Sequence, residues 1–241
     1  MSRKSFCVRE ACLSDLPALT NIEERVWRAL AAPTISAEVL GQWLELRSPF
    51  FLVAETEGAI AGYYFGLCTD FDLAQVDKYT KLDKVKRNGY IDIAHDPGGD
   101  SLYGITISSI VPGAGSALYQ EVLTRWKNLK AKYYFGYCRL SGFAAYINNL
   151  NPDPRKSAEV DLDQTALWYA HACMTAVGGK IWDRCAARPA LELPLPPPDP
   201  ILSFHSKCCG GQFGLLGIVP RFMLCTESKG YAAFMVYQSE E

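Results

Sequence analysis

What this 241-residue chain lacks already narrows what it can be. It has no excess of one charge: 24 Lys+Arg stand against 26 Asp+Glu, for a formal charge of −2. No face or tail is rich enough in Lys and Arg to release counterions from a phosphate backbone, which argues against a nucleic-acid partner. No apolar run approaches the roughly 18 residues needed to cross a bilayer. Residues 1–4 are polar and lack a signal-peptide pattern, so the expectation is a cytoplasmic protein with no membrane partner. Cys-x-x-Cys is missing, and with it the strongest zinc signature. The nine cysteines are odd in number and scattered, and read as reduced thiols packed as small hydrophobes. His205 with Cys208 and Cys209 supplies ligand chemistry, but adjacent cysteines rarely chelate one tetrahedral ion, so no metal is expected.

What is present is a sizeable core. With 49% apolar and 21% charged residues, the composition is far from that of a disordered chain, and the length allows one large or two small domains. Residues 7–10 read as a short strand. A helix follows from near Ser14, with Leu16, Leu19, Ile22, Val26 and Leu30 recurring every three or four positions as one buried stripe. Residues 36–46 form a second helix, broken by Ser48 and Pro49. Residues 51–55 and 59–67 are β-rich runs joined through Gly58, which makes them an antiparallel hairpin.

Residues 69–100 turn polar, with Lys78, Lys81, Lys84, Lys86 and Arg87 balanced by Asp70, Asp72, Asp77 and Asp83. This is read as a partly helical surface excursion closing at the turn 96–99. A strand resumes at 102–110 and runs into Pro112, Gly113, Ala114, Gly115 and Ser116, then into a helix bearing Leu118, Val122, Trp126 and Leu129. Residues 133–138 are another strand, and 141–149 a short helix or turn. Residues 163–177 are helical, and six prolines from Pro189 to Pro200 make an extended connector. Runs at 213–219 and 231–237 are the last strands.

The strand, glycine turn and helix around Gly113 form the most informative local feature. Glycines let a backbone approach a ligand, and a helix start presents N–H groups that attract phosphate. No Gly-Lys-Ser/Thr closes the turn, and no third glycine follows, so it is neither a P-loop nor a dinucleotide fingerprint. A tight strand-to-helix turn with no ligand is the other reading.

The order of elements, with 8–11 (Val-Arg-Glu-Ala), Asp15-Leu16-Pro17, Ile22-Glu23, the hairpin 51–63 and Gly113-x-Gly115, resembles the GNAT superfamily of acyl-CoA-dependent acyltransferases. The resemblance implies an α/β (α+β) fold with a mixed, mostly antiparallel central sheet flanked by helices and splayed at the strand before the glycine turn. It covers residues 6–146 and resumes in the last two strands. The implied architecture is one acyltransferase-like domain over 1–241, with the surface excursion at 69–100 and a helical and proline-rich insertion at 161–198. The implied co-substrate is acetyl-CoA or another acyl-CoA, held by Ser108, Ser109, Ile110, Gly113, Ala114, Gly115, Ser116 and Ala117. Ile110 stands where the family's phosphate motif has Gln or Arg. That leaves backbone N–H groups and the helix dipole to hold the anion.

Residues 199–205, 210–211 and 217–220 are similar to a stretch of GNAT-like acyl-loading domains of polyketide synthases. That likeness implies that His205 and Trp27 line an acyl-CoA tunnel; Arg221 follows Val219 and Pro220 immediately, whereas the likeness places its arginine a few residues later, where Met223 and Cys225 stand. His205 is then a general base or a hydrogen-bonded structural histidine beside a strand. Tyr146 is a proton donor to the departing thiolate or a packed tyrosine.

The function expected is direct acyl transfer from acyl-CoA to an amine, by an N-acetyltransferase-like transferase. A thiol acceptor with decarboxylation of a malonyl-type substrate is the alternative within catalysis. A non-catalytic member that binds acyl-CoA or a partner is the alternative outside it.

Overall fold

A computed structural model describes residues 5–30, 32–80, 95–150, 161–187, 189–223 and 225–239. Two compact units emerge, one of Met1–Asp72, Arg87–Tyr134 and Ser239–Glu241, the other of Leu73–Lys86 and Phe135–Gln238.

The first unit carries strands β1 (Cys7–Glu10), β2 (Phe51–Thr56), β3 (Ala59–Thr69) and β4 (Ser101–Ser109), with helices α1 (Leu16–Trp27), α2 (Ala37–Glu45) and α3 (Ala114–Asn128). The strands lie in the order β1-β2-β3-β4, each pair antiparallel. Strand alternation sends Phe51, Val53, Tyr63 and Phe65 to one face, where they meet Leu19 and Ile22 of α1 and Leu40 and Trp43 of α2. Trp43 stacks on Phe65 with ring centroids 4.1 Å apart. Helix α3 packs on β2 and β3 through Leu118, Tyr119, Val122 and Trp126, all fully buried.

α1 starts at Leu16, after a single 3-10 turn at Leu13–Asp15, rather than near Ser14 as expected. The helical start is set at Cys12 instead: the Asp15 carboxylate reaches back to the Cys12 N–H at 2.8 Å, as in a capping box, and also accepts two bonds from Arg9, at 2.7 and 2.9 Å. α2 follows the expected pattern, with Ser36 Oγ accepting from Val39 N–H. The hairpin between β2 and β3 turns on Glu57 and Gly58, both left-handed, which suits the twist of a two-residue connection.

The second unit carries β5 (Tyr133–Arg139), whose first two residues fall in the first unit, then β6 (Gly214–Val219) and β7 (Ala232–Gln238), in the order β5-β7-β6. β6 and β7 are antiparallel. Around them are α4 (Phe143–Leu150), α5 (Leu162–Ala176) and α6 (Pro200–Cys208). α5 is buried on most of its circumference through Ala166, Trp168, Tyr169, Ala170, Cys173 and Met174, so it is a core helix of this unit.

Of the polar excursion, Leu73–Gln75 and Asp77–Thr80 form short helical turns. Asp77 pairs with Arg184 at 2.6 Å, and the Tyr79 carbonyl accepts the Tyr137 hydroxyl at 2.6 Å. Lys81, Asp83, Lys84, Lys86 and Arg87 lie outside the described residues. The closing turn is as expected, with Gly98 N–H on Asp96 Oδ1 and Gly99 N–H on the Asp96 carbonyl, both 2.9 Å.

Candidate functional site

Four side chains converge in the first unit. The stripe of α1 that buries Leu19 and Ile22 also buries Glu23, which is 0% exposed. Glu23 Oε1 accepts from Trp27 Nε1–H at 2.9 Å, from Ser108 Oγ–H at 3.1 Å and from the Tyr63 hydroxyl. Oε2 accepts from Ile35 N–H at 3.1 Å. Tyr63 and Ser108 are paired across β3 and β4, so both point to the face under α1. None of the four partners is a cation. A carboxylate taken out of water without a counter-charge costs several kcal/mol, and only a full set of hydrogen bonds makes it tolerable. Burial first, and then the Glu23 charge, push the Tyr63 hydroxyl well above its ordinary range, so Tyr63 stays a donor.

Ser108 Oγ also accepts from Trp27 Nε1–H at 3.0 Å, so the indole proton is shared between Glu23 and Ser108. Trp27 is half-buried, with its polar tip fixed by this pair. Two of the residues expected to form the site, Trp27 and Ser108, are thus brought together.

Just beyond, β4 gives way to the glycine turn. Ile110 N–H still bonds the Ala61 carbonyl at 2.9 Å, and the Ile110 side chain packs on the cluster around Trp43 and Phe65. Where the resemblance places a Gln or Arg, this chain therefore has an apolar anchor for the strand end. Gly113 caps α3 with φ +95°, a left-handed conformation open to glycine at little cost. No side chain caps the first turn; Ala114 N–H goes to the Val111 carbonyl and Ala117 N–H to the Gly113 carbonyl. The turn thus presents the N–H groups of Gly115 and Ser116 at the positive end of a 15-residue helix. Ser109, Gly113 and Ser116 are exposed, Ala117 is half-buried, and Ala114 and Gly115 are buried.

His205 and Tyr146 belong to the second unit. His205 does not lie beside a strand as expected; it sits within α6, because Asp199 and Pro200 start a helix there. Asp199 Oδ1 accepts from Ile201 and Leu202 N–H, and Pro200 occupies the first turn. The imidazole lies against Phe204 and Phe213, with ring centroids 5.3 and 5.7 Å away. Burial lowers its pKa to about 4, so the ring is neutral at physiological pH. Tyr146 stacks on Trp168, and its hydroxyl donates to the Pro194 carbonyl at 2.7 Å, which ties the proline run to α4. Arg221 sits in a tight exposed turn after β6 with φ +55°. Asp199 is a hub: besides the α6 N–H groups it accepts from Ser141 Oγ (3.2 Å), Gly142 N–H (2.9 Å) and the Tyr169 hydroxyl (3.0 Å).

Glu23 is the site residue that sequence reasoning passed over. Its signal was there: a carboxylate one step after Ile22 and four before Trp27 falls on the apolar stripe, where a charge needs a reason. Among the described residues no group of three or more His, Cys, Asp or Glu is arranged to hold a metal ion, and no helix is long and apolar enough to cross a membrane.

No protein-family model matches the sequence, and no curated protein matches it. Solved structures do, over nearly the whole chain. The loading GNATL domain of CurA from Lyngbya majuscula is 14% identical with a TM-score of 0.65, covering 97% of this chain and 98% of its own. The GphF GNAT-like decarboxylase, solved in complex with isobutyryl-CoA, is 21% identical with a TM-score of 0.62, covering 96% and 98%. The ribosomal-protein-S18-alanine N-acetyltransferase from Escherichia coli is 12% identical with a TM-score of 0.51, covering 98% and 96%. The chain therefore has a GNAT fold, as its order of elements implied.

Proposed function

We propose that this protein binds an acyl-CoA at the end of β4 and the start of α3 and transfers its acyl group to a nucleophilic acceptor, an amine by preference. The observation that carries the reading is the uncapped α3 start behind left-handed Gly113, directly after a strand whose last buried side chain, Ser108, belongs to a buried polar cluster. The N–H groups of Gly115 and Ser116 and the helix dipole would take the pyrophosphate. The acyl end would lie along β4 near Ser108 and Ser109. Fold similarity to proteins described as a GNAT-like decarboxylase and an N-acetyltransferase supports the chemistry as an analogy.

A second reading, decarboxylation of a malonyl-type acyl-CoA with transfer to a thiol, draws on the higher TM-scores with GphF and CurA. Glu23 favours the first reading, since the side chains it meets are neutral and a second carboxylate nearby would be repelled. His205 and Tyr146 remain proposed proton carriers of the second unit. A histidine with pKa about 4 is a weak base toward an amine at neutral pH.

Thermal unfolding with acetyl-, isobutyryl- and malonyl-CoA tests the reading. A ligand at 100 times its dissociation constant adds about 2.7 kcal/mol, a Tm rise of roughly 5–10 °C for a chain of this size. No rise with any of the three overturns acyl-CoA binding. A rise with malonyl-CoA followed by carbon dioxide release favours the second reading.

A further inference from the structure

The Glu23 cluster is more polar than the packing of α1 requires. An apolar residue at this stripe position would join Leu19, Ile22 and Leu40, and exchanging a buried charge for apolar volume is often neutral or stabilising. Instead the chain buries a carboxylate and gives it four hydrogen bonds. One of them comes from Ser108, at the strand end where the acyl group is proposed to lie. Ser108 Oγ donates its proton to Glu23, accepts from Trp27 and lies beside the Tyr63 hydroxyl, so its proton is committed to the carboxylate. Toward a substrate a hydroxyl held this way can only accept, and it is already aligned to pass its own proton to a carboxylate.

We propose that Glu23 is a positioning residue for acyl transfer: it takes the Ser108 proton and so presents Ser108 Oγ as the proton acceptor for the attacking nucleophile, with Trp27 fixing the angle of both. This rests on the acyl-CoA reading above. In the step, the acceptor nitrogen attacks the thioester carbonyl carbon, the C–N bond forms and the C–S bond breaks. The proton leaving nitrogen passes to Ser108 Oγ as the Ser108 proton passes to Glu23 Oε1. The coenzyme sulfur departs as a thiolate and recovers a proton from Glu23 through the same hydroxyl. Atoms and charge balance, and no further reactant is needed. General-base assistance of this kind contributes on the order of 10²–10⁴ in rate.

The test uses the full chain with acetyl-CoA as donor and hydroxylamine or water as acceptor. Affinity is read by calorimetry, turnover by released coenzyme thiol, and folding by thermal melting. Glu23→Gln keeps the side-chain shape and a carbonyl for Trp27, and Ser108→Ala is a second variant that does not depend on tolerance at Glu23. The expected result is affinity within about threefold of the parent, thiol release slower by at least roughly 100-fold in each, and a double variant no slower than either single one. A purely structural cluster predicts the opposite split, a lowered Tm with the rate of the folded fraction unchanged, and that result overturns the proposal. Additive losses in the double variant also overturn it. A parent that binds acetyl-CoA but releases no thiol overturns it while leaving the binding reading intact. A parent that binds no acetyl-CoA overturns both.

Discussion

Two buried acids, Glu23 and Asp199, organise the polar interior of their respective units through neutral donors alone, and they differ in what their loss should do. Asp199 caps α6 and satisfies the Gly142 N–H and the hydroxyls of Ser141 and Tyr169. Asp199→Ala should cost on the order of 3 kcal/mol, a lost cap plus stranded donors, read as a shifted urea midpoint. Gly142 belongs to the same knot. A Cβ there would collide with the Tyr169 hydroxyl oxygen, so Gly142→Ala should destabilise by about 1–3 kcal/mol, and an unchanged midpoint would show that the loop yields freely. His205 gives a pH signature. Its folded pKa of about 4 lies below the ordinary 6.5, so between those values the unfolded chain binds more protons. Stability from this group is full above pH 6.5 and falls as pH drops toward 4, by about 3 kcal/mol in all. Urea midpoints across that range should slope downward toward acid in the parent, and less steeply in His205→Asn.

At the scale of elements, the start of α3 allows two properties to be moved in opposite directions. Ser116 is exposed in the first turn of the helix. Ser116→Asp places an anion at the positive helix end and should stabilise the free protein by about 0.3–1 kcal/mol. The same charge would meet the coenzyme pyrophosphate, so acetyl-CoA affinity should fall at least tenfold by calorimetry. Unchanged affinity would move the phosphates elsewhere. Elements with a strong period were legible from sequence: the α1 stripe, the hairpin with Gly58, and the strand, turn and helix around Gly113. What was not legible depended on side-chain partners that periodicity does not show. The first helix looked set to begin near Ser14, but Asp15, held by Arg9, caps a turn that begins at Cys12. His205 looked strand-adjacent because the proline run hid the helix that Asp199 and Pro200 begin. Glu23 is explained by Ser108, a residue 85 positions away that no local pattern could pair with it.

For the whole molecule, the nine cysteines divide by exposure: Cys7 and Cys12 are exposed, Cys208 is intermediate, and six are buried. Burial pushes Cys173 up to about 12 and Cys185 up to about 11, which removes thiolate at neutral pH. A thiol-reactive disulfide reagent should therefore titrate two groups quickly in the native protein, a third slowly, and all nine after unfolding. Fast reaction of more than three would contradict the packing of both units. The chain alternates between the two units along its length, and composition alone carries no trace of that division.

From Ile110 to Ala117 the chain has no charged side chain, and the groups offered to an anion are main-chain N–H bonds set by a left-handed glycine. Recognition written in main-chain geometry constrains conformation far more than residue identity. Side chains along such a turn, Ile110 among them, can vary while the donors keep their directions. A protein built this way can keep its ligand chemistry after its spelling has diverged beyond recognition.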